Sequence, residues 1–145
     1  MTYHIDSAPE KRRLEDIRDM LSKVFWCPGI TGAEIEKGIT HSALVVGAYL
    51  DDGRQVGFLR VISDTVRFAY ILDVVVHEEY RRRGIGGGMV KYALAHPGLR
   101  DVYQWLLVTM DAHGVYRECG FESLKYPDKW MSIMKPRPDR TDFRE

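Results

Sequence analysis

Cysteine is scarce in this sequence, with two residues among 145. Cys27 and Cys119 are too few to build a disulfide framework, and neither belongs to a Cys-x-x-Cys pair. No two histidines have the spacing that would place two metal ligands on one face of a helix. We therefore expect neither a disulfide-stabilised fold nor a bound metal ion.

The sequence also lacks an excess of charge of either sign. It contains 21 Lys and Arg residues and 21 Asp and Glu residues, so the formal net charge is zero. Nucleic acids and anionic membrane surfaces are held mainly by excess positive charge, so neither is an expected partner. No apolar run approaches the roughly 20 residues that cross a bilayer, and the first residues do not resemble a secretion signal. These absences favour a cytoplasmic protein.

Length and composition fit a single domain. Hydrophobic residues make up 45% of the chain, which is enough for a packed core, and there is no repeat or internal linker. Residues 136–145 contain two prolines and show no hydrophobic periodicity. We expect one domain over residues 1–135 and a poorly ordered tail over residues 136–145.

Hydrophobic periodicity predicts a mixed α/β fold whose first half contains two helices and an antiparallel meander. Ser7 and Glu10 have the spacing of a capping box before a helix over about 9–25, and a second helix is expected at about 31–39. Asp51-Asp52-Gly53 is a typical hairpin turn. The strands predicted in this half are 2–5, 43–50, 54–62 and 66–76.

The second half predicts a βαβ unit followed by further short elements. A helix begins after Gly84, and the strand that comes after it, 102–109, is a continuous apolar run. Such a run is typical of a central strand buried on both faces, here parallel to 66–76 through a right-handed crossover. We expect a sheet of six to seven strands with helices on both faces. The remaining predicted elements are a helix at 112–119 and strands at 120–125 and 130–134.

Residues 77–88 carry the strongest chemical signal, because three arginines and four glycines stand between a strand and a helix. Glycine allows backbone N–H groups to converge, and the N-terminus of the helix adds a partial positive charge. This combination predicts an anion site, for which phosphate is the usual ligand. Arg81, Arg82 and Arg83 could add charge-assisted hydrogen bonds.

Two common phosphate motifs are absent from this stretch. The dinucleotide motif Gly-x-Gly-x-x-Gly requires glycine where Met89 stands, and no Walker-type Gly-Lys-Ser/Thr run exists. A plain glycine-rich turn beside solvated arginines is the simpler interpretation. It is disfavoured because each glycine in a helical position costs roughly 0.5–1 kcal/mol relative to alanine.

Two segments resemble the GNAT family of N-acetyltransferases. Arg81-x-x-Gly84-x-Gly86 follows a strand that ends in Val-x-Val, and it is similar to the family's Arg/Gln-x-x-Gly-x-Gly/Ala loop. Downstream, Val115 to Phe121 reads Val-Tyr-x-x-x-Gly-Phe, which is similar to a second segment of the family. The order of predicted elements also agrees with the family from residue 2 to about residue 134.

The resemblance implies an acetyl-CoA-dependent N-acetyltransferase that transfers the acetyl group directly to an amine in a ternary complex. Val74 and Val76 would offer backbone groups to the pantetheine arm of acetyl-CoA, the co-substrate. Tyr116 would donate a proton to the departing thiolate, a role that suits a phenol with a pKa near 10. The residues that would hold the pyrophosphate are Arg81, Arg82, Arg83, Gly84, Ile85, Gly86 and Gly87.

The acceptor side is less defined. Asp73 lies within a long apolar strand, where it could bind a cationic amine, act as a base or serve as a hydrogen-bonded structural carboxylate. Trp26 is a candidate to line the acceptor pocket, and His113 is a weaker candidate. Thr109 stands where many family members have Asn, which leaves that contact with CoA open. The acceptor is expected to be a small-molecule or peptide amine of unknown identity.

Two other functional classes remain open from the sequence. A non-catalytic acyl-CoA sensor on the same fold would keep the loop but would not need Tyr116. An RNA or DNA module that uses the three arginines is disfavoured by the zero net charge and by the lack of a second basic stripe. The sequence also leaves the oligomeric state open, a homodimer included.

Overall fold

The computed structural model of the protein describes residues 2–138, and within them a five-stranded mixed sheet lies between two helical layers. The strands follow one another across the sheet in sequence order. The first four are antiparallel, whereas β5 is parallel to β4. The strands are β1 (Tyr3–Asp6), β2 (Leu44–Leu50), β3 (Gln55–Ser63), β4 (Phe68–Val76) and β5 (Gln104–Leu106).

Helices cover both faces of the sheet, as predicted. On one face, α1 and α2 pack over a cluster of buried apolar residues that includes Ile17, Ile35 and Phe58. On the other face, α3 contributes Met89 and Val90 to a larger buried cluster. The helices are α1 (Leu14–Ser22), α2 (Gly32–Thr40), α3 (Ile85–Leu94) and α4 (His113–Glu118). Single-turn 3-10 helices occur at Pro9–Lys11, Glu78–Tyr80, Pro97–Leu99 and Pro127–Lys129.

The meander and the βαβ unit are confirmed. Strands β2, β3 and β4 begin and end within two residues of the predicted bounds. Gly53 has φ of 90° in the turn between β2 and β3, a left-handed conformation that glycine adopts without strain. Helix α3 connects β4 to a parallel β5.

The start of the first helix was predicted wrongly. Helix α1 begins at Leu14 rather than at residue 9, because the hydroxyl of Ser7 bonds to the Tyr92 hydroxyl at 2.9 Å and does not cap a helix. The capping box lies instead at the start of α2. There the Thr31 side chain accepts from the backbone of Glu34, and the Glu34 carboxylate accepts from the backbone of Thr31.

The predicted six to seven strands are also wrong, since the described residues contain five. Strand β5 covers only Gln104–Leu106, pairs with β4 alone and stands at the edge of the sheet rather than at its centre. Residues 120–125 and 130–134 form no strand. An apolar pattern indicates a preference for strand, but a strand also needs a neighbouring edge of matching length. The edge that β5 offers to a further strand is only three residues long.

Residues 139–145, which include most of the expected tail, lie outside the described part of the chain. Within residues 2–138, no helix combines the length and the apolar character that a membrane crossing requires.

Gly47 in β2 is a position where the packing excludes a side chain. A Cβ atom there would lie 2.6 Å from the ring carbon Cζ of Tyr49 and 2.8 Å from the amide nitrogen of Gln55, and both neighbours are fully buried. We expect Gly47→Ala to lower the free energy of unfolding by about 1–3 kcal/mol. Urea unfolding measures this change.

The matched control is Gly114→Ala in α4, where nothing lies within 4 Å of the added atom. That variant should be as stable as the parent or slightly more stable, because alanine favours the helix. Equal stability of the two alanine variants would contradict the packing around Gly47.

Candidate functional site

Strands β4 and β5 diverge, which leaves one edge of β4 open. The parallel ladder joins only Phe68, Ala69 and Tyr70 of β4 to β5. Strand β4 continues for six more residues, from Ile71 to Val76, without β5 beside it. Backbone groups that face this opening have no partner in the ladder, so they are available to an extended ligand that adds alongside β4.

A β-bulge at Asp73 accompanies the divergence. The register between β3 and β4 shifts between Phe58 and Arg60, so β4 has one extra residue there. Asp73 adopts φ of 59°, a left-handed conformation that aspartate tolerates better than most residues. A bulge bends its strand and increases the local twist, which moves the end of β4 away from β5.

Side chains from two other elements hold the Asp73 carboxylate. Its Oδ2 accepts a hydrogen bond from Nε of Arg60 at 2.8 Å, and its Oδ1 accepts one from Nε1 of Trp26 at 3.1 Å. The ion pair is largely enclosed, with the side chains of Arg60 and Asp73 20% and 12% exposed. The guanidinium of Arg60 also donates to the carbonyl oxygen of Gly38 in α2 at 3.4 Å. The network therefore joins β3, β4 and the helical layer at the bulge.

Val74 and Val76 present their backbone groups to the opening. The next N–H along the strand, that of His77, donates to Val56 of β3 at 2.8 Å. Backbone groups alternate in direction along a strand, so those of Val76 and Val74 point away from β3. The Val76 carbonyl also accepts a hydrogen bond from Nε of Arg81 at 3.0 Å. Arg81 thus closes the end of β4 with its side chain.

The loop from β4 to α3 contains two left-handed residues and several side-chain contacts. Arg82 and Gly84 adopt φ of 65° and 78°, and Gly84 is the residue that precedes α3. Two guanidinium groups lie close to the Tyr80 ring, with Arg54 5.5 Å and Arg83 5.4 Å from its centroid. Arg54 additionally donates to the Tyr80 hydroxyl at 2.6 Å. Ile85 is buried at the start of α3 and anchors the helix in the core.

Packing within the chain explains one glycine of the first turn of α3 but not the others. A Cβ at Gly88 would meet Ile5 of β1 at 2.9 Å, so glycine allows a close approach there. At Gly86 and Gly87 the nearest atoms would be 3.8 Å away, an ordinary contact. Their bare backbone matches an anion held against the N–H groups of the turn.

Helix α4 places Tyr116 beside this turn. The Cys119 thiol donates to the carbonyl oxygen of Gly87 at 3.8 Å, which joins the two helices. The Tyr116 ring is half-buried and meets Phe121 edge to face at 6.1 Å. Burial raises the pKa of the Tyr116 hydroxyl above its ordinary value, and Cys119 and Asp111 raise it further. The phenol therefore carries its proton at neutral pH.

The family model described as acetyltransferase (GNAT) family matches residues 12–121. The chain belongs to the GNAT family. Membership implies acetyl transfer, and it confirms the resemblance seen in the loop and in the segment around Tyr116. Among curated proteins, no sequence matches the chain.

Solved structures of GNAT proteins share the fold. A protein belonging to the GNAT family from Xanthomonas campestris pv. campestris is 35% identical, with a TM-score of 0.85 over 94% of this chain and 95% of that one. A GNAT family acetyltransferase from Streptococcus pneumoniae is 28% identical, with a TM-score of 0.69 over 94% and 98%. Glucosamine-6-phosphate N-acetyltransferase from Arabidopsis thaliana is 17% identical, with a TM-score of 0.64 over 95% and 99%, and shares the fold alone.

The structure of this GNAT chain shows direct bonds between some of the predicted site residues: Arg81 bonds to Val76, and Trp26 bonds to Asp73. Cys119, three residues after Tyr116 in sequence, bonds to Gly87 of the loop. His113 is exposed at the start of α4, and no contact within residues 2–138 joins it to Trp26 or Asp73. The same residues contain no group of three or more His, Cys, Asp or Glu side chains that could hold a metal ion.

Arg60 was not among the site residues predicted from the sequence. It is the one charged residue within the apolar stretch 55–62, and its strand pairs with the strand that contains Asp73. A cross-strand pair of opposite charge is a recognised stabilising unit of sheets and could have indicated this contact. The bulge, which brings the two side chains together, is not visible in the sequence.

The ion pair at the bulge should be energetically coupled. Removing one partner leaves an enclosed charge unpaired. The losses in free energy of unfolding caused by Arg60→Met and by Asp73→Asn should therefore add up to more than the loss caused by the double variant. Urea unfolding of the four proteins should give a coupling energy of about 1–3 kcal/mol for this partly buried pair.

The control cycle uses Lys23→Met and Asp19→Asn. That pair lies at the C-terminal end of α1, where the charged atoms are 3.3 Å apart and the side chains are each 54% exposed. Its coupling should be below about 1 kcal/mol because solvent screens exposed pairs. Similar coupling energies for the two pairs would contradict the anchoring role of Arg60.

Proposed function

We propose that this GNAT protein transfers the acetyl group of acetyl-CoA directly to an amine in a ternary complex. The observation that carries the proposal is the open edge of β4, which leads to the loop before the N-terminus of α3. Helix α4, which contains Tyr116, is bonded to the first turn of α3 through Cys119 and Gly87. These three features supply a place for an extended arm, a place for a phosphate group and a proton donor.

The residues around the opening fit acetyl-CoA. Backbone groups of Val74 and Val76 would bond the pantetheine arm as an added strand does. The pyrophosphate would lie against the N–H groups from Arg81 to Gly87, where the partial positive charge of α3 favours an anion. The adjacent arginines, Arg82 and Arg83, are exposed and can add charge-assisted bonds.

Acetyl-CoA supplies an acetyl group activated as a thioester. In the proposed step the amine nitrogen forms a bond to the carbonyl carbon, and the carbon–sulfur bond then breaks with its electron pair on sulfur. Tyr116 gives its phenolic proton to that sulfur, and the proton lost by the amine restores the balance through solvent. The raised pKa of Tyr116 keeps the donor protonated before each turnover.

On the acceptor side, we propose that Asp73 and Trp26 border the binding site of a small-molecule or peptide amine. Each carboxylate oxygen of Asp73 already accepts a hydrogen bond, from Arg60 and from Trp26. This favours a positioning role for Asp73 over that of a base. His113 precedes Tyr116 by one helical turn and is exposed, so it stays a candidate for contact with the acceptor.

A non-catalytic sensor is disfavoured by Tyr116. Within the described residues its hydroxyl forms no hydrogen bond, although the ring is half-buried next to the loop. That hydroxyl is not among the enclosed polar atoms, so it is accessible to donate to a ligand, which a sensor would not need. A thiol-release assay with acetyl-CoA and a panel of amines tests the activity, and no release with any amine class would favour the sensor.

We expect CoA to stabilise the protein against heat, because a ligand bound only by the folded state adds about 2.7 kcal/mol at a hundredfold excess over its Kd. Gly86→Glu should abolish the rise in Tm, since it places a carboxylate where the pyrophosphate would lie. Thermal melting with and without millimolar CoA measures both effects.

Ala95→Glu is the matched control, because it adds the same charge at an exposed position just after the other end of α3. This variant should keep the parent's response to CoA. If Gly86→Glu folds and responds to CoA like the parent, the first turn of α3 is only a structural turn.

Tyr116→Phe should lower kcat and kcat/KM together while the affinity for acetyl-CoA changes little. Phenylalanine keeps the ring contact with Phe121 and removes only the proton donor, so the loss arises in the transition state. We expect a decrease of roughly 10²-fold, the lower end for a general acid, because a thiolate is a good leaving group. Steady-state kinetics with an accepted amine measure it.

The control is Tyr103→Phe, which removes the hydroxyl of an exposed tyrosine just before β5. That hydroxyl accepts a hydrogen bond from Arg67 at 3.0 Å. The variant should leave kcat and kcat/KM unchanged. An increase in KM for acetyl-CoA alone in Tyr116→Phe would make Tyr116 a binding residue instead.

A further inference from the structure

The loop between α1 and α2 is uncharged and partly apolar, although it lies at the surface. No residue from 24 to 33 carries a charge, whereas charged residues make up 29% of the chain. Phe25, which lies in this loop, is 63% exposed. Neighbouring apolar side chains that face solvent often mark a place where a ligand binds. The loop is therefore a candidate binding surface, and its position decides what it could bind.

Contacts within the fold hold two aromatic rings of this loop beside the bulge. The buried Cys27 thiol donates to the carbonyl oxygen of Leu21 at 3.7 Å, which ties the loop to α1. The indole N–H of Trp26 donates to Asp73 at 3.1 Å. The Phe25 ring meets the Trp26 ring edge to face, with centroids 5.2 Å apart. We call Phe25 and Trp26 the aromatic pair, and it forms a surface that begins at the bulge and continues outward to solvent.

The space behind the bulge is too small for an acceptor. A cavity of about 20 Å³ lies between the helical layer and the sheet, and Glu34, Arg60 and Asp73 are among the residues that line it. That volume is about the space of one water molecule. The bulk of an acceptor near Asp73 must therefore lie outside this cavity, on the side where the aromatic pair borders the carboxylate.

The carboxylates that line this cavity are already engaged. Asp73 accepts from Arg60 at 2.8 Å, so the two charges balance. The Glu34 carboxylate accepts from the backbone N–H and the hydroxyl of Thr31 at 3.1 and 3.2 Å. A second ammonium at the far end of an acceptor would lie against the uncharged loop, where it would lose hydration without a carboxylate of the loop to pair with. The charges therefore favour an acceptor with a single amine.

We propose that the acceptor is a small monoamine with an aromatic group, and that Phe25 and Trp26 bind this group while the amine nitrogen faces the thioester. The inference rests on the proposed acetyl transfer and names the class of acceptor for that site. Aromatic rings attract one another in offset and edge-to-face arrangements, and the exposed Phe25 has a ring available for such a contact. An apolar wall also disfavours the ammonium form of the amine, which cannot attack.

Three amines test the class of acceptor in the thiol-release assay. Phenethylamine carries a ring, whereas pentylamine and 1,4-diaminobutane have the same length and differ in whether the far end is a methyl or an ammonium group. We expect kcat/KM to be about 10-fold higher for phenethylamine than for pentylamine, and about 100-fold higher for pentylamine than for the diamine. The proposal is overturned if pentylamine is used as well as phenethylamine, or if the diamine is used as well as pentylamine.

Substitution of Phe25 tests where the ring binds. Phe25→Ser should raise the KM for phenethylamine about 10-fold and leave the KM for acetyl-CoA unchanged, because one aromatic contact with the acceptor is lost. Phe25→Tyr keeps the ring and should retain the parent's constants. Val66→Ser, which truncates a 57% exposed side chain in the turn between β3 and β4, is the matched control and should also retain them. An unchanged KM for phenethylamine in Phe25→Ser would contradict the proposal.

Calorimetric titration of phenethylamine into the CoA-bound protein separates this inference from the proposed reaction. If no amine releases thiol, the proposed acetyl transfer fails, and binding alone decides the acceptor site. Binding of phenethylamine that weakens about 10-fold in Phe25→Ser supports the aromatic site. Absence of binding, or equal binding by the parent and Phe25→Ser, refutes it.

Discussion

The left-handed backbone at Asp73 is the constraint on which the site depends, because there β4 gains an extra residue and turns away from β5. The conformation is unfavourable for most residues and is held by bonds from Arg60 and Trp26 to the carboxylate. Arg60 comes from the neighbouring strand β3, and Trp26 comes from the loop that follows α1. The polar network holds the bulge in place, and the bulge in turn leaves the edge of β4 open.

This arrangement links the two halves of the proposed reaction. On one side of β4, the open edge and the first turn of α3 suit the arm and the phosphates of acetyl-CoA. On the other side, Trp26 and Asp73 lie where the helical layer approaches the sheet. Of the three roles left open for Asp73 by the sequence, the bonds from Arg60 and Trp26 favour the hydrogen-bonded structural carboxylate over the base.

The structure shows that the glycines of the loop are present for different reasons. Gly88 is required by a neighbouring strand, because Ile5 approaches it closely, and Gly84 is required by its left-handed backbone. Neither reason applies to Gly86 and Gly87 among residues 2–138. A phosphate held against their N–H groups, as we propose, would supply the missing reason.

Much of this protein could be read from residues that are neighbours in sequence. The meander, α2, α3 and the parallel return to β5 follow from local periodicity, and the loop and Tyr116 were recognisable as motifs because each is a contiguous segment. Other features depend on residues that are distant in sequence. Ser7 bonds to Tyr92 instead of capping a helix, and Arg60 meets Asp73 only because a bulge shifts the register. The two final strands were predicted wrongly for the same reason. An apolar pattern records what a segment can bury, whereas the presence of an edge to pair with is decided by the tertiary fold.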